Sequence, residues 1–126
     1  MPPVYGDQQI ACLNSGKMYL SFSRTRAGHV NVKVGLFEAI ACGTCLVTQV
    51  NPDLEDYFHV GTEVLCYSST KELIDLVRFH LKNPTRIEWL KKNASQRFFN
   101  EHTWKIRWNN VLTDIEKLRN ELKYAK

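Results

Sequence analysis

Residues 31–50, NVKVGLFEAIACGTCLVTQV, contain the pattern that decides the fold. The apolar residues of the first half recur at helical spacing and are Val34, Leu36, Phe37, Ile40 and Ala41. This spacing predicts a helix over 31–42, with Asn31 as its N-cap and Gly43 as its C-terminal stop. The short apolar run at 45–50 predicts a buried strand. A helix that leads directly into a buried strand is typical of α/β proteins.

The alternation of strands and helices continues on both sides of this stretch. Two further strands are predicted at 17–23 and 63–68, and further helices at 7–16, 70–83, 85–100 and 104–124. Such alternation implies a parallel sheet with right-handed crossovers, but doubly wound domains usually carry about five or six strands. We therefore expect an α/β fold: a partial Rossmann-like domain of about three parallel strands flanked by helices, with a long C-terminal helix. Residues 1–126 would form this single, truncated domain.

The helix predicted at 70–83 has the clearest local signals. Ser69 and Glu72 have the spacing of a capping box at its start. Its apolar stripe, which we expect to be buried, consists of Leu73, Ile74, Val77 and Leu81.

The composition is that of an ordinary globular protein, with 44% hydrophobic and 24% charged residues among 126. No apolar run approaches the roughly 18–20 residues of a membrane span. The N-terminal residues lack the features of a signal peptide, so we expect a cytoplasmic protein with no transmembrane segment. The four cysteines fit reduced, buried thiols better than a disulfide framework.

The net charge of +4 is unevenly distributed. Residues 82–126 hold 11 basic and 5 acidic side chains, whereas residues 1–81 hold 6 and 8. A basic C-terminal third could meet phosphate, an anionic surface or an acidic partner, or it could be a solvated helical face. We expect no nucleic acid as partner, because Trp104 and Trp108 belong to an apolar helix face and are poor stacking platforms.

Cys42 and Cys45 form a Cys-x-x-Cys pair, but the surrounding pattern argues against redox or metal chemistry. A redox pair needs its first thiol at a helix N-terminus, whereas Cys42 ends the predicted helix, where the dipole raises a thiol pKa. A zinc site would need two further ligands at suitable spacing. The pair therefore indicates core packing, and we expect neither a metal nor another cofactor.

The loop between the first strand and the helix at 31–42 has the features of a phosphate site. It lies where open α/β sheets bind ligands and leads into a helix N-terminus. Arg24, Arg26 and Lys33 supply cations, and Gly28 allows close backbone approach. Glu38, farther along the helix, could accept two hydroxyl donors, as a ribose diol offers. The alternative is that these are solvated surface side chains.

Several motifs in order resemble the C-terminal half of group 1 glycosyltransferases, and in particular their spore-maturation-protein-like branch. They are Phe-Glu-Ala with Ala-Cys-Gly-Thr (37–44), Leu-Val-Thr (46–48), Pro-Asp-Leu-Glu (52–55), Gly-Thr-Glu-Val (61–64), and Glu-His-Thr-Trp (101–104) followed by Arg107. The likeness spans about residues 4–108.

The resemblance implies a GT-B architecture, in which two Rossmann-like domains face a cleft and the C-terminal one binds a nucleotide-diphosphate sugar. It implies that Glu38 binds the ribose hydroxyls and that Arg24, Asn31 and Lys33 lie against the diphosphate. Cationic side chains and the helix dipole would replace a metal. Many relatives carry a second acid eight positions before this glutamate, where this chain has Val30. The acceptor-binding N-terminal domain is absent, so catalytic residues are unknown, and we expect a fragment or a stand-alone half.

The C-terminal helix carries an apolar seam at spacings of four and three, as in a coiled coil. We call the predicted helix at 104–124 α5 and its apolar face the α5 seam; the members of the seam are Trp104, Trp108, Val111, Ile115, Leu118 and Leu122. Three partners are possible: its own domain, the absent N-terminal domain, or a second copy in a homodimer. The leading hypothesis is thus the donor-binding portion of a glycosyltransferase, transferring a hexosyl unit to an unknown acceptor. The alternative is a non-catalytic interaction module that assembles through this helix.

Overall fold

A parallel three-stranded sheet forms the centre of the molecule. The computed structural model describes residues 3–25 and 27–124. The strands are β1 (Met18–Ser21), β2 (Cys45–Gln49) and β3 (Leu65–Tyr67), in the spatial order β1-β2-β3. Both pairings are parallel. The predicted fold class is confirmed.

In the described part of the chain, five α-helices and two short irregular helices surround the sheet. The α-helices are α1 (Asp7–Ser15), α2 (Val34–Ala41), α3 (Thr70–Lys82), α4 (Pro84–Arg97) and α5 (Trp104–Tyr124). A 3₁₀ helix follows β2 at Pro52–Asp56, and a π-helical segment at Phe98–His102 joins α4 to α5. No helix among these residues is both long and apolar enough to cross a bilayer.

The core lies on both faces of β2, because successive side chains of a strand point to opposite faces. On one face, Leu46 belongs to a cluster that also contains Leu36, Ile40, Leu54, Phe58, Val64 and Ala94. On the other face, Cys45 and Val47 pack with Leu65, Tyr67, Ile87 and Leu90. The sheet is therefore covered by α2 and the 3₁₀ helix on one side and by α3 on the other, and α4 contributes to both clusters.

The start of α2 differs from the prediction. Asn31 is not the N-cap: α2 begins at Val34, and Lys33 holds the N-cap position without a side-chain capping bond. The backbone N–H of Asn31 donates to the carbonyl of Ser23, 3.2 Å away, so the chain stays tied to the preceding loop for three more residues. The predicted stop is confirmed, since Gly43 has φ of 73° and follows the C-cap residue Cys42.

The start of α3 agrees with the prediction, whereas its predicted buried stripe agrees only in part. The Ser69 hydroxyl accepts from the backbone N–H of Glu72 at 3.2 Å. The Glu72 carboxylate accepts from the backbone N–H of Ser68 and from its hydroxyl, each at 2.7 Å. This bond to the Ser68 side chain holds the pKa of Glu72 below its usual value. Of the predicted stripe, Leu73 and Val77 are half-buried, and Leu73 packs against the core. Ile74 and Leu81 are exposed, and the buried residue of α3 is His80.

The cysteines are reduced, but not all of them are buried. Cys45 is in the core, and burial raises the pKa of its thiol to about 11. Burial also raises the pKa of Cys66 to about 11. Cys12 on α1 is exposed, so the prediction of a buried thiol was wrong there. Residues 3–25 and 27–124 contain no cluster of three or more side chains that could hold a metal ion.

Candidate functional site

The loop that joins β1 to α2 folds back on itself at the carboxyl edge of the sheet. Arg24 and Val30 form an isolated antiparallel bridge. Inside it, the N–H of Thr25 donates to the carbonyl of His29 at 2.8 Å. Gly28 supports the reversal with φ of 85°, a conformation that other residues rarely adopt. The loop is thus a small hairpin that holds the chain above β1 before α2 starts.

Three of the predicted site residues lie in or directly after this hairpin. Arg24 and Asn31 are exposed, and Lys33 is half-buried at the start of α2. Within the part of the chain that the structure describes, none of these three side chains takes part in a hydrogen bond or an ion pair of less than 4 Å. They are available to a ligand. Arg26, which we also predicted to contribute a cation, lies outside the described residues.

Glu38 stands just over one turn into α2, one turn closer to the loop than predicted because the helix starts late. Its carboxylate is exposed and accepts a hydrogen bond of 3.2 Å from the side-chain amide of Gln9 on α1. A carboxylate oxygen can accept further donors, so this bond orients Glu38 without saturating it.

Glu38 forms part of the wall of two separate concavities on opposite flanks of α2. One lies between α1 and α2 and includes Tyr5, Gln9 and Tyr19. The other is an aromatic cavity of about 390 Å³ on the side of the 3₁₀ helix and α5. Its lining residues are Val32, Val34, Phe37, Glu38, Ala41, Tyr57, Phe98, His102, Trp104 and Arg107.

Arg107 is the cation of the aromatic cavity. Its guanidinium lies 4.9 Å from the centre of the Phe37 ring and 5.5 Å from that of Tyr57, within the range of cation–π attraction. Phe37 directly precedes Glu38 on α2. The contact therefore holds the first turn of α5 beside the helix that carries Glu38, the residue predicted to bind ribose.

His102 anchors the same wall through the backbone. Its Nε2 lies 2.8 Å from the carbonyl oxygen of Tyr57, which can only accept, so Nε2 carries the proton. The ring also makes edge contacts with Phe37, Tyr57 and Phe58, at centroid distances of 5.1–5.8 Å. The wall is therefore a fixed aromatic cluster.

A layer of buried polar side chains lies at the carboxyl edge of the strands. Ser21, Ser23, Thr48 and Asn51 are all buried. Among the described residues, Thr48 Oγ1 and Asn51 Nδ2 have no hydrogen-bond partner, nor does Thr25 Oγ1 in the loop above. Buried polar groups in proteins are usually satisfied, so this edge retains hydrogen-bonding capacity.

Sequence reasoning missed Gln9 and Arg107 as site residues. Gln9 lies 29 positions before its partner Glu38, and no local pattern links the two. Arg107 belongs to a motif that the sequence comparison noted, and only the fold shows that its side chain reaches α2.

The fold and the site define a class: a parallel α/β unit with a cationic loop and a carboxylate at the carboxyl edge of its sheet. Residues 1–113 match the profile of the glycosyl transferase-like family, so the chain belongs to that family.

Among solved structures, the chain is similar to sucrose-phosphate synthase from Thermosynechococcus elongatus, with a TM-score of 0.67 and 16% identity. The match covers 91% of this chain and 27% of that one, so the chain spans about a quarter of that structure's length. The likeness shows the fold, a portion of a GT-B domain. No curated protein matches the chain.

Proposed function

We propose that this chain is the donor-binding portion of a glycosyltransferase that uses a nucleotide-diphosphate sugar. The observation that carries the proposal is the position of Glu38. It stands on the first helix after β1, oriented by Gln9, beyond a loop whose Arg24, Asn31 and Lys33 have no other described partner. A nucleoside diphosphate carries both groups that such a site would bind. Its ribose offers a diol to Glu38, and its diphosphate offers negative charge to the loop.

The chemistry of such a site is the stabilisation of a leaving group. The bond between the anomeric carbon and the diphosphate oxygen breaks, and the acceptor oxygen forms the new glycosidic bond. Negative charge then builds up on the departing diphosphate, where cationic side chains and a helix N-terminus stabilise it. Arg24 and Lys33 fit this role without a metal, and no residue of this chain is assigned as the acceptor's base.

We further propose that the remainder of a GT-B transferase packs against β1. Within the described residues, β1 pairs on one side only, with β2. Leu20 on this strand and Phe22 just after it are exposed, and an unpaired strand edge is a site for strand addition. The acceptor-binding N-terminal domain, and membership of the spore-maturation-protein-like branch of group 1, belong to this same proposal.

The test is calorimetric titration of the full chain with UDP, GDP, ADP and CDP. We expect one of them to bind, and we expect its 2′-deoxy analogue to bind about tenfold more weakly, since one of two hydroxyl donors to Glu38 is lost. Glu38→Gln should weaken the ribonucleotide by a similar factor and abolish the preference over the deoxy form.

Glu116→Gln is the matched control, because Glu116 is exposed on α5 and far from the loop in the chain. It should leave the affinity unchanged. Absence of binding by all four nucleotides, or equal affinity of wild type and Glu38→Gln, would overturn the proposal.

A second candidate is a non-catalytic interaction module, and one observation favours it. All six members of the α5 seam are exposed. A chain that binds none of the nucleotides but associates through α5 would have this function instead.

A further inference from the structure

The α5 seam is an apolar surface that its own domain leaves uncovered. Its six side chains are 45–71% exposed. Of the three partners that the sequence left open, its own domain is therefore the wrong one. The main neighbour of α5 is the π-helical segment that precedes it. Arg107 contacts α2, but it lies beside the seam rather than on it.

The rest of α5 has the pattern of a helix that pairs along this seam. With Trp108, Ile115 and Leu122 at heptad position a, and Trp104, Val111 and Leu118 at d, the remaining positions fall into two groups. The outer positions b, c and f from 109 to 123 hold only polar side chains: Asn109, Asn110, Thr113, Glu116, Lys117, Asn120 and Lys123. The flanking positions e and g hold Lys105, Arg107, Leu112, Asp114, Arg119 and Glu121.

We propose that α5 pairs with α5 of a second copy of this chain as a parallel two-stranded coiled coil. In a parallel pair, a g residue faces the e residue five positions later on the partner helix. Asp114 at g then faces Arg119 at e, and symmetry produces this attractive pair twice. Arg107 at g faces the neutral Leu112, so no like charges meet.

The antiparallel arrangement is disfavoured by the same charges. There g faces g and e faces e. Two copies of Asp114 then meet and Lys105 lies opposite Arg119, and both contacts are repulsive. Arg107 lies opposite Glu121, an attractive contact that offsets only the second of these, so the antiparallel pair retains the Asp114 repulsion and lacks the attractive pairs of the parallel one. Within one chain, Asp114 is 3.5 Å from Lys117, but both side chains are about two-thirds exposed and such a pair is weak. It does not prevent the contact between copies.

A second copy fits the available area and the position of the seam in the chain. Two partly exposed tryptophans and four aliphatic side chains from each copy offer on the order of 1,000 Å² in total, the lower limit for a specific interface. Ile115, Leu118 and Leu122 also lie beyond residue 113, where the match to the family profile ends. This half of the seam thus lies outside the matched residues. Because it has only about three heptads, the dimer should be weak and concentration-dependent.

Sedimentation equilibrium of the full chain over a range of about 1–500 µM tests the proposal. We expect a monomer–dimer equilibrium. Leu118→Glu, which places a charge at d, should raise the dimer Kd about 100-fold. Asn120→Glu, on the outer face of the same helix, should leave it within about threefold. Both variants change exposed positions, so both should keep the circular dichroism spectrum of the folded wild type.

A disulfide reports the orientation. In a Cys12→Ser background, Leu122→Cys should cross-link as a homodimer under mild oxidation, because identical a positions meet in a parallel pair. In an antiparallel pair, residue 122 of one copy would lie beside residue 104 of the other. The two copies of residue 122 would then be about 27 Å apart along the helix axis, too far to cross-link. A monomer at every concentration, or a dimer that Leu118→Glu does not weaken, would overturn the proposal. A dimer without the cross-link would overturn its parallel geometry.

Discussion

Helices α2 and α5 carry similar apolar patterns but have opposite environments. On α2, Leu36, Ala39 and Ile40 are buried against β2. On α5, which is 21 residues long, every apolar seam residue is exposed. Packing against the core therefore stabilises the short helix. The long helix is stabilised by its own backbone hydrogen bonds and by the contacts of its first turn.

The difference shows which parts of the molecule are complete. The layer formed by α2 and β2 has its packing partners and presents Glu38 and the loop at its edge. Two other surfaces, the α5 seam and the β1 edge that is unpaired among the described residues, carry large exposed apolar side chains. We propose that the layer of α2 and β2 binds a ligand, and that α5 associates with a second copy of the chain.

The largest expected effect comes from removing the same side chain on each helix. Ile40→Ala should lower the free energy of unfolding by about 2–5 kcal/mol, since Ile40 is fully buried and a cavity remains. Ile115→Ala on α5 should change it by less than about 0.5 kcal/mol in dilute monomer. Urea denaturation of both variants measures this. Equal losses would show that α5 has a packed face after all.

A smaller effect should follow from the burial of Cys45 compared with the exposure of Cys12. The Cys45 pKa is raised to about 11, from an ordinary value of 9.0. The unfolded chain therefore loses this proton first, and stability should fall as pH rises from 9 to 11, by about 2–3 kcal/mol from this thiol. Comparison with Cys45→Ala isolates the contribution, since Cys66 titrates in the same range.

Thiol labelling gives an independent measure of the same contrast. Cys12 should react with a thiol reagent first and Cys45 last at pH 8, because the thiolate is the reactive form and Cys45 is inaccessible. Rapid labelling of Cys45 in the folded chain would contradict its place in the core.

The smallest effect concerns helix caps. Ser69 caps α3 at 3.2 Å, and Thr103 caps α5 with a longer bond of 3.4 Å to the N–H of Ile106. Ser69→Ala should cost about 1 kcal/mol of global stability, because α3 packs on the sheet. Thr103→Ala should instead reduce helical ellipticity and leave the unfolding midpoint unchanged. A lower midpoint for Thr103→Ala would show that α5 unfolds with the core.

The sequence predicts the layers of this fold well because its strands are short apolar runs and its helices have clear stops. The position of Gly43 and the cap at Ser69 are local signals, and both are confirmed. The predicted start of α2 was wrong because the hydrogen bond between Asn31 and Ser23 depends on a loop conformation that no local pattern encodes.

The candidate site is harder to predict than the fold. Glu38 could be proposed from its motif, but its orientation comes from Gln9, which is brought near by packing of α1. Arg107 comes from the other end of the chain to form the aromatic cavity. The exposure of the α5 seam was also open from sequence, since periodicity predicts an apolar face without identifying its partner.

The most direct test of the proposed donor site is an NMR titration of the full chain with UDP, GDP, ADP and CDP, following backbone amides. We predict saturable shifts at 24–38 with one nucleotide, and none at 109–124 on the outer part of α5. Glu38→Gln should reduce these shifts at equal ligand concentration. Shifts confined to α5, or none with any nucleotide at millimolar concentration, would contradict the account.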